Sequence, residues 1–329
     1  MPAILYRLMY IDYTYLTFCG PMDTILIALG GNAILKRGEE ATFLNQYRNV
    51  ENAAKSITSL LKKKDMRLVI THGNGPQVGD ELLRGEYAAD RMPQLPLHIL
   101  TAETQAFIGS MLESALLNEM GRHSIKIDVS TVLTHILVDR NDGAFKTPSK
   151  PIGPHYSKKE LEERLSVKEF DYVEHDGYYR QVVPSPMPIE VIELDSIRRL
   201  LDGGNVVIAG GGGGVPIARS ENGIIGVDAV IDKDATSELL ARELHADKMI
   251  ILTDAEYLYT EYGKESSRVV YMSAAELEGI VGSLQNGTIK PKVEACIRFV
   301  NMGGKEAYIG NLFKLDEVLA GKSGTRIRA

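Results

Sequence analysis

Three apolar, β-branched runs in this chain break off into glycine, and that rhythm narrows the fold more than any other feature. Thr24–Leu29 runs into Gly30-Gly31-Asn32, Leu68–Ile70 into Thr71-His72-Gly73-Asn74-Gly75, and Val206–Ala209 into the glycine run Gly210–Gly214. A fourth run, Met249–Leu252, ends in Thr253-Asp254. Helical text lies between them: Ile108, Met111, Leu112, Ala115 and Leu116 recur at the spacing of one apolar helix face. Strands alternating with helices build βαβ units, so an α/β fold around a mainly parallel sheet, covered on both faces, is expected.

At 329 residues the chain has room for a sizeable core, or about two domains. Its 37 Lys and Arg against 44 Asp and Glu leave a net charge of −7, which argues against a nucleic-acid partner. No stretch approaches the roughly 20 apolar residues that cross a bilayer, so no membrane partner is expected. The two cysteines, Cys19 and Cys296, make neither a disulfide framework nor a zinc-type spacing. They favour a reducing compartment, and a cytoplasmic protein is expected.

Residues 1–22 form a tyrosine-rich extension without the basic start, unbroken apolar core and cleavage site of a signal peptide. Met22 reads as the natural start, or residues 1–21 as an appended arm, with an added hairpin or loop as the alternative. From about residue 132 to 188 the alternation stops. Pro148, Pro151, Pro154, Pro184, Pro186 and Pro188 and several charged stretches mark an insertion, a small subdomain projecting from the sheet. A second boundary falls at Asp202-Gly203-Gly204, dividing the remainder into 23–202 and 203–329. Asn222-Gly223 reads as a hairpin turn between Ile217 and Ile224-Ile225.

Ligands of open α/β sheets bind beyond the carboxyl ends of the strands. Glycine there lets backbone approach a ligand, and helix-start N–H groups favour anions. One such turn is any strand-to-helix connection; three point to phosphate. The dinucleotide and P-loop signatures are missing, because Val215 stands where a third glycine belongs and Asp316 where the Walker glycine belongs. No HExxH or GxSxG occurs, and no metal ligand set is expected.

Phosphoryl transfer needs fixed positive charge. Lys150, between Pro148 and Pro151, is expected in a stiff turn. Lys233 precedes the helical text Ala235–Leu244, and Lys292 follows Pro291 in the first turn of a helix. A lysine at a helix N-terminus opposes the dipole, which makes sense beside an anion. Each taken singly is also what a surface lysine looks like. Asp232 and Asp234 suit N-caps, or one of them holds two lysines in place. His72 reads as structural, Cys296 as core, Lys62–Lys64 as a helix end, and Tyr257 and Tyr259 as packing or base-stacking residues.

ALGGNAIL, THGNGPQVG, TPSKPIGP, YRQVVPSP, AGGGGGVP, VIDKDA, LTDAEYLY, PKVEA and the terminal GTRI occur in the order found in carbamate kinases, within the amino acid kinase family. The resemblance covers residue 23 to the end. THGNGPQVG, TPSKPIGP and YRQVVPSP are specific enough to separate the chain from acetylglutamate and uridylate kinases. It implies a three-layer αβα sandwich with a small projecting subdomain, a homodimer, and reversible transfer between ATP and carbamate, giving ADP and carbamoyl phosphate. It implies an acceptor site in the N-terminal lobe, and ATP with Mg²⁺ in the C-terminal lobe.

Carried over by position, Gly30, Gly31, Asn32, Gly73, Asn74 and Gly75 line the carbamate and transferred-phosphate site. Lys150 reaches in from the subdomain, which is expected to act as a lid. Lys233 and Lys292 neutralise phosphates and Asp234 organises them. Gly211, Gly212, Thr253, Asp254 and Tyr259 lie near the nucleotide. Two positions depart from the pattern, Lys290 in Gly287-Thr288-Ile289-Lys290-Pro291 and His155 near Lys150. Another small-acid kinase of this fold, or a sensor that binds nucleotide without transfer, are the rival readings.

Overall fold

The run Asp23–Leu29 is buried from Thr24 onward, and its alternate residues feed two different cores. Ile25, Ile27 and Leu29 face helices Phe43–Leu61 and Leu97–Arg122, meeting Val50, Ile57, Ile108 and Leu112. Leu26 and Ala28 face helices Lys233–Glu243 and Ile289–Asn301, in a core with Leu239, Leu240, Val293 and Cys296. The two-residue period of a strand thus lays a sheet between two helical layers. The computed structural model describes residues 22–36, 38–63, 66–166, 168–175, 177–261, 264–284 and 289–329. The expectation for the N-terminal extension concerns residues outside this set, as do Gly287 and Thr288.

The main sheet has eight strands in the spatial order Tyr271–Ser273, Thr325–Arg328, Glu306–Asn311, Lys248–Thr253, Asp23–Leu29, Met66–His72, Val206–Ile208 and Val129–Thr131. All neighbours are parallel except Glu306–Asn311 with Thr325–Arg328. The architecture is therefore the expected α/β sandwich with a mainly parallel sheet. Val206–Ile208, beyond the expected lobe boundary, lies between two strands of the N-terminal half. The boundary near 203 is thus where the chain re-enters a shared sheet.

The proline-rich insertion divides. Lys150–Tyr156, Tyr178–Val183 and Tyr172–His175 form an antiparallel three-stranded sheet, backed by helix Lys158–Leu165. His135–Leu137 instead joins a separate four-stranded sheet with Glu190–Val191, Val215–Ser220 and Gly223–Gly226. The Asn222-Gly223 hairpin is present, with Ser220 opposite Gly223. Lys150 corrects its expectation, because it opens a strand paired with Val183 rather than sitting in a turn. The prolines on either side hid that strand, since Pro151 has no N–H to give the ladder.

The three-stranded sheet is fastened to helix Gly75–Tyr87, the helix that begins in the second glycine turn. At Gly79 a methyl group would lie 2.0 Å from the Gly153 Cα, so the two backbones touch. Gly153 holds a positive φ of +67°, a conformation that glycine adopts without steric cost. Ile152 and Val183 bury against Val78 of the helix. Arg164 bonds Glu86 at 2.5 Å, with its guanidinium over the rings of Tyr156 and Phe170.

Candidate active site

The strands Asp23–Leu29, Met66–His72 and Val206–Ile208 all point their carboxyl ends the same way, so their glycine turns meet at one end of the sheet. Gly30 donates its N–H to Leu252 and Gly73 donates to Leu29. A methyl group at Gly73 would lie 3.5 Å from the Gly31 nitrogen and 3.6 Å from the Lys233 Cδ. At Gly31 it would meet nothing within 4 Å, which leaves open space over that turn. The first two glycine turns and Lys233 are therefore direct neighbours. Gly31–Ala33 forms a single 3₁₀ turn, while the Asn32 side chain lies outside what is described.

The helix Lys233–Glu243 starts at this same end. Asp232 caps it, its side chain accepting from the N–H of Asp234 at 2.8 Å and of Ala235 at 3.4 Å. Asp234, only 2% exposed, takes the ammonium of Lys233 on one oxygen and that of Lys292 on the other, the latter at 2.9 Å. Lys292 comes from helix Ile289–Asn301, which begins two residues before Pro291. Lys150 crosses from the three-stranded sheet to the second oxygen of Asp232. The three lysines expected from sequence thus gather around two neighbouring carboxylates, Asp234 and Asp232, the latter serving as both N-cap and lysine partner.

Burial alone would push the Asp234 carboxyl up; Lys233 and Lys292 outweigh it and hold it below its ordinary range. Burial, reinforced by Lys292, pulls the Lys233 ammonium down despite Asp234. Burial also acts against Lys292, but Asp234 and Asp232 together raise it. Two cations and two anions packed in a dry pocket cost much solvation. An arriving phosphate would meet ammonium groups already fixed in place.

The five-glycine run is packed too tightly for any side chain at three of its positions. A methyl group at Gly211 would lie 2.4 Å from His72 Nε2, at Gly212 2.3 Å from Asn74 Nδ2, and at Gly213 2.1 Å from the Ile231 carbonyl. The run is buried and wedged between the second glycine turn and the residue before Asp232. Thr134 accepts from the Gly210 N–H at 2.9 Å, and Thr236 donates to the Gly213 carbonyl at 2.7 Å. Its glycines serve close packing that fixes the site.

His72 is buried, as expected of a structural histidine, and its Nδ1–H donates to the Gly73 carbonyl at 3.1 Å. Burial, with a smaller repulsion from Lys233, brings its pKa down to about 4 despite that bond. Asn74 is buried too and donates to Thr104 at 2.9 Å. Gly75 opens its helix with Pro151 alongside, whose carbonyl is 3.9 Å from a Gly75 methyl position. Thr253 ends its strand half-buried, Asp254 is exposed, and Tyr259 is half-buried with its hydroxyl donating to Glu265 at 3.4 Å. Cys296 is core. His155 is exposed and meets the ring of Tyr178 edge-on, and Lys290 lies half-buried in the first turn of its helix.

Sequence reasoning missed the supports of this arrangement. Thr71 and Ser237 share a 2.6 Å hydrogen bond, and Ser237 donates to the Lys233 carbonyl at 2.6 Å. Gln105 and Thr134 bond each other twice, at 3.0 and 3.1 Å, beneath the five-glycine run. The only signal in the text for such pairs is a polar residue inside an apolar stretch, as Thr71 after Leu68–Ile70 and Gln105 near Ile108.

The model of the amino acid kinase family matches residues 23–311. A carbamate kinase of Haemophilus influenzae is 42% identical over 304 residues, covering 92% of this chain and 96% of its own. The solved carbamate kinase of Giardia lamblia bound to citric acid superposes with a TM-score of 0.89 at 37% identity, covering 93% of this chain and 98% of that one. The Giardia enzyme bound to AMP-PNP gives 0.85 at 38% identity, with the same coverage. The paired lysines, the glycine turns and these matches agree, and the chain belongs to the carbamate kinases of the amino acid kinase family.

Proposed function

We infer that the protein is an ATP-dependent phosphotransferase moving a phosphoryl group reversibly between MgATP and carbamate, with ADP and carbamoyl phosphate as the other pair. The observation that carries this reading is Asp234 with the two buried ammonium groups of Lys233 and Lys292, set beside the open space over Gly31. Phosphoryl transfer asks the protein for little covalent chemistry. It asks for fixed positive charge and for reactants held in line. A carbamate oxygen attacks the γ-phosphorus as the bond to the ADP oxygen breaks, so no covalent enzyme intermediate is needed.

In this reading the backbone N–H groups around Gly30, Gly31 and Asn32, with Gly73, Asn74 and Gly75, hold carbamate and the transferred group. Lys150 reaches the same group from the projecting subdomain. Lys233 and Lys292 neutralise the phosphates, and Asp234 keeps both lysines aimed. Gly211, Gly212, Thr253, Asp254 and Tyr259 lie near the nucleotide, Gly211 and Gly212 by shaping the floor of the site. That a Giardia relative is bound to AMP-PNP, an ATP analogue, supports a nucleotide site here. Asp232 and Asp234 are both paired with lysines, so the residues suit phosphate, and Mg²⁺ is read as arriving on the ATP phosphates as part of the substrate. There it adds positive charge against the developing negative charge.

Among the described residues no helix is long and apolar enough to cross a membrane. The cytoplasm, a homodimer and a place in arginine metabolism complete the reading, supported by family resemblance. The test is direct. Purified protein given ADP, Mg²⁺ and carbamoyl phosphate should form ATP, read by a luciferase assay. No ATP above an enzyme-free control would overturn the assignment.

A further inference from the structure

The side chain of Asp232 joins the projecting subdomain to the helix carrying Lys233 and Asp234. Its Oδ1 accepts from the N–H of Asp234 and of Ala235, and its Oδ2 takes the Lys150 ammonium. Lys150 opens the strand Lys150–Tyr156, so one carboxylate ties the subdomain's first strand to the helix start. The pair is more open than its neighbour. The side chains of Lys150 and Asp232 are 28% and 22% exposed, against 3% for Asp234, so an incoming anion can reach the first pair and not displace the second.

The two oxygens give Asp232 separable jobs. Capping needs only Oδ1, and Asn, Ser or Thr would serve there as well. The Lys150 pair needs the negative charge. When a phosphate draws Lys150 away, the carboxylate keeps both helix N–H bonds, so no buried anion is left without partners. Burial works against ionisation of Asp232, but Lys150, followed by Lys233 and Lys292, outweighs it and keeps the group a carboxylate.

We propose that Asp232 is a positioning residue for the transfer: it holds the Lys150 ammonium at the edge of the site before substrates arrive, then yields it to the transferred phosphoryl group. A lysine on a projecting element otherwise has to lose its rotamer freedom during the reaction itself. The proposal rests on the phosphoryl-transfer reading above.

A double-mutant cycle with ATP formation as readout tests it, using Asp232→Asn, Lys150→Met and the double variant. Asparagine keeps the cap and removes only the charge, so any fall in the melting point of Asp232→Asn reports the lost lysine pairs and not a lost cap. Its kcat should fall by at least about threefold, with KM for ADP changed by less. Because Asp232 acts through Lys150, the double variant should run within about twofold of Lys150→Met. Limited proteolysis supplies a readout without turnover. In ligand-free protein, Asp232→Asn and Lys150→Met should both be cut faster than wild type between residues 140 and 185, and by a similar factor.

Lys150→Met leaves the cap untouched, so faster cutting of that variant cannot come from a damaged helix. A kcat for Asp232→Asn within about twofold of wild type would overturn the proposal. So would a double variant slowed by the product of the two single effects, or unchanged cutting in Lys150→Met. A wild-type protein that makes no ATP would instead overturn the functional reading, and the proteolysis result would still stand.

Discussion

Lys233 and Lys292 share the carboxylate of Asp234, yet their surroundings move them in opposite directions, Lys233 down and Lys292 up. Lys233 therefore loses its proton first as pH rises, and kcat should begin to fall at a lower pH than an ordinary lysine would dictate. A pH profile of ATP formation reads this alkaline limb. By analogy with a lost oxyanion donor, Lys292→Ala and Lys150→Ala should each cost about 3–4 kcal/mol, a few hundred-fold in kcat. Turnover within a few-fold of wild type in both would remove them from the mechanism.

His72 gives a stability test whose sign is fixed by linkage. Its folded pKa of about 4 lies below the ordinary 6.5, so between those values the unfolded chain binds the proton and the fold does not. Stability from this residue is present above pH 6.5 and is lost as pH falls towards 4, by about 2 kcal/mol between pH 7 and 5. Denaturant melts at the two pH values should show that loss in wild type and a clearly smaller one in His72→Gln.

The lysines were legible only together, since any one of them next to proline or at a helix start reads equally well as a surface lysine. The pairing of Lys150 with Asp232 was not legible, since 82 residues separate them and only the folded sheet brings them together.

Among the elements, the central strands were legible for a simple reason. A strand buried on both faces is written as an unbroken apolar run, and Thr24–Leu29, Leu68–Ile70 and Met249–Leu252 all became one. The three-stranded sheet of the projecting subdomain was hidden by its composition. Tyr172, Val173 and Glu174 are exposed, only Val182 and Val183 of Tyr178–Val183 are buried, and proline interrupts Lys150–Tyr156. The packing of the five-glycine run was not legible, because close approach of backbone to protein and to ligand looks the same in the text. That difference is measurable. Gly213→Ala combines a φ of +89° with a methyl 2.1 Å from the Ile231 carbonyl, and should destabilise by at least 2–3 kcal/mol, roughly the cost of strain plus overpacking. A melting point equal to wild type would show that the run has slack.

At the scale of the whole molecule, a protein of net charge −7 gathers three lysines at one end of a sheet, where the proposed reading puts its two anionic substrates. Salt screens the approach of anionic substrates from solvent towards these lysines, so KM for ADP should rise with ionic strength. A flat response in a salt titration of initial rates would place the binding energy elsewhere. If the subdomain closes over substrates, saturating ADP with carbamoyl phosphate should slow cleavage between residues 140 and 185, and equal cleavage with and without them would count against closure.

The contact of Gly79 with Gly153 then sets what kind of motion such closure can be. Two backbones already touching cannot slide closer, and Arg164 clamped on Glu86 restrains their separation. What remains is rotation about the crossing, which makes it a fulcrum. Lys150 lies three residues along the strand, about 10 Å from that point at the rise of an extended chain. A turn of about 15° would swing its ammonium by roughly 2.5 Å on that arm, close to the length of one hydrogen bond. If the subdomain closes by such a rotation, a small angle suffices to exchange one oxygen partner for the next.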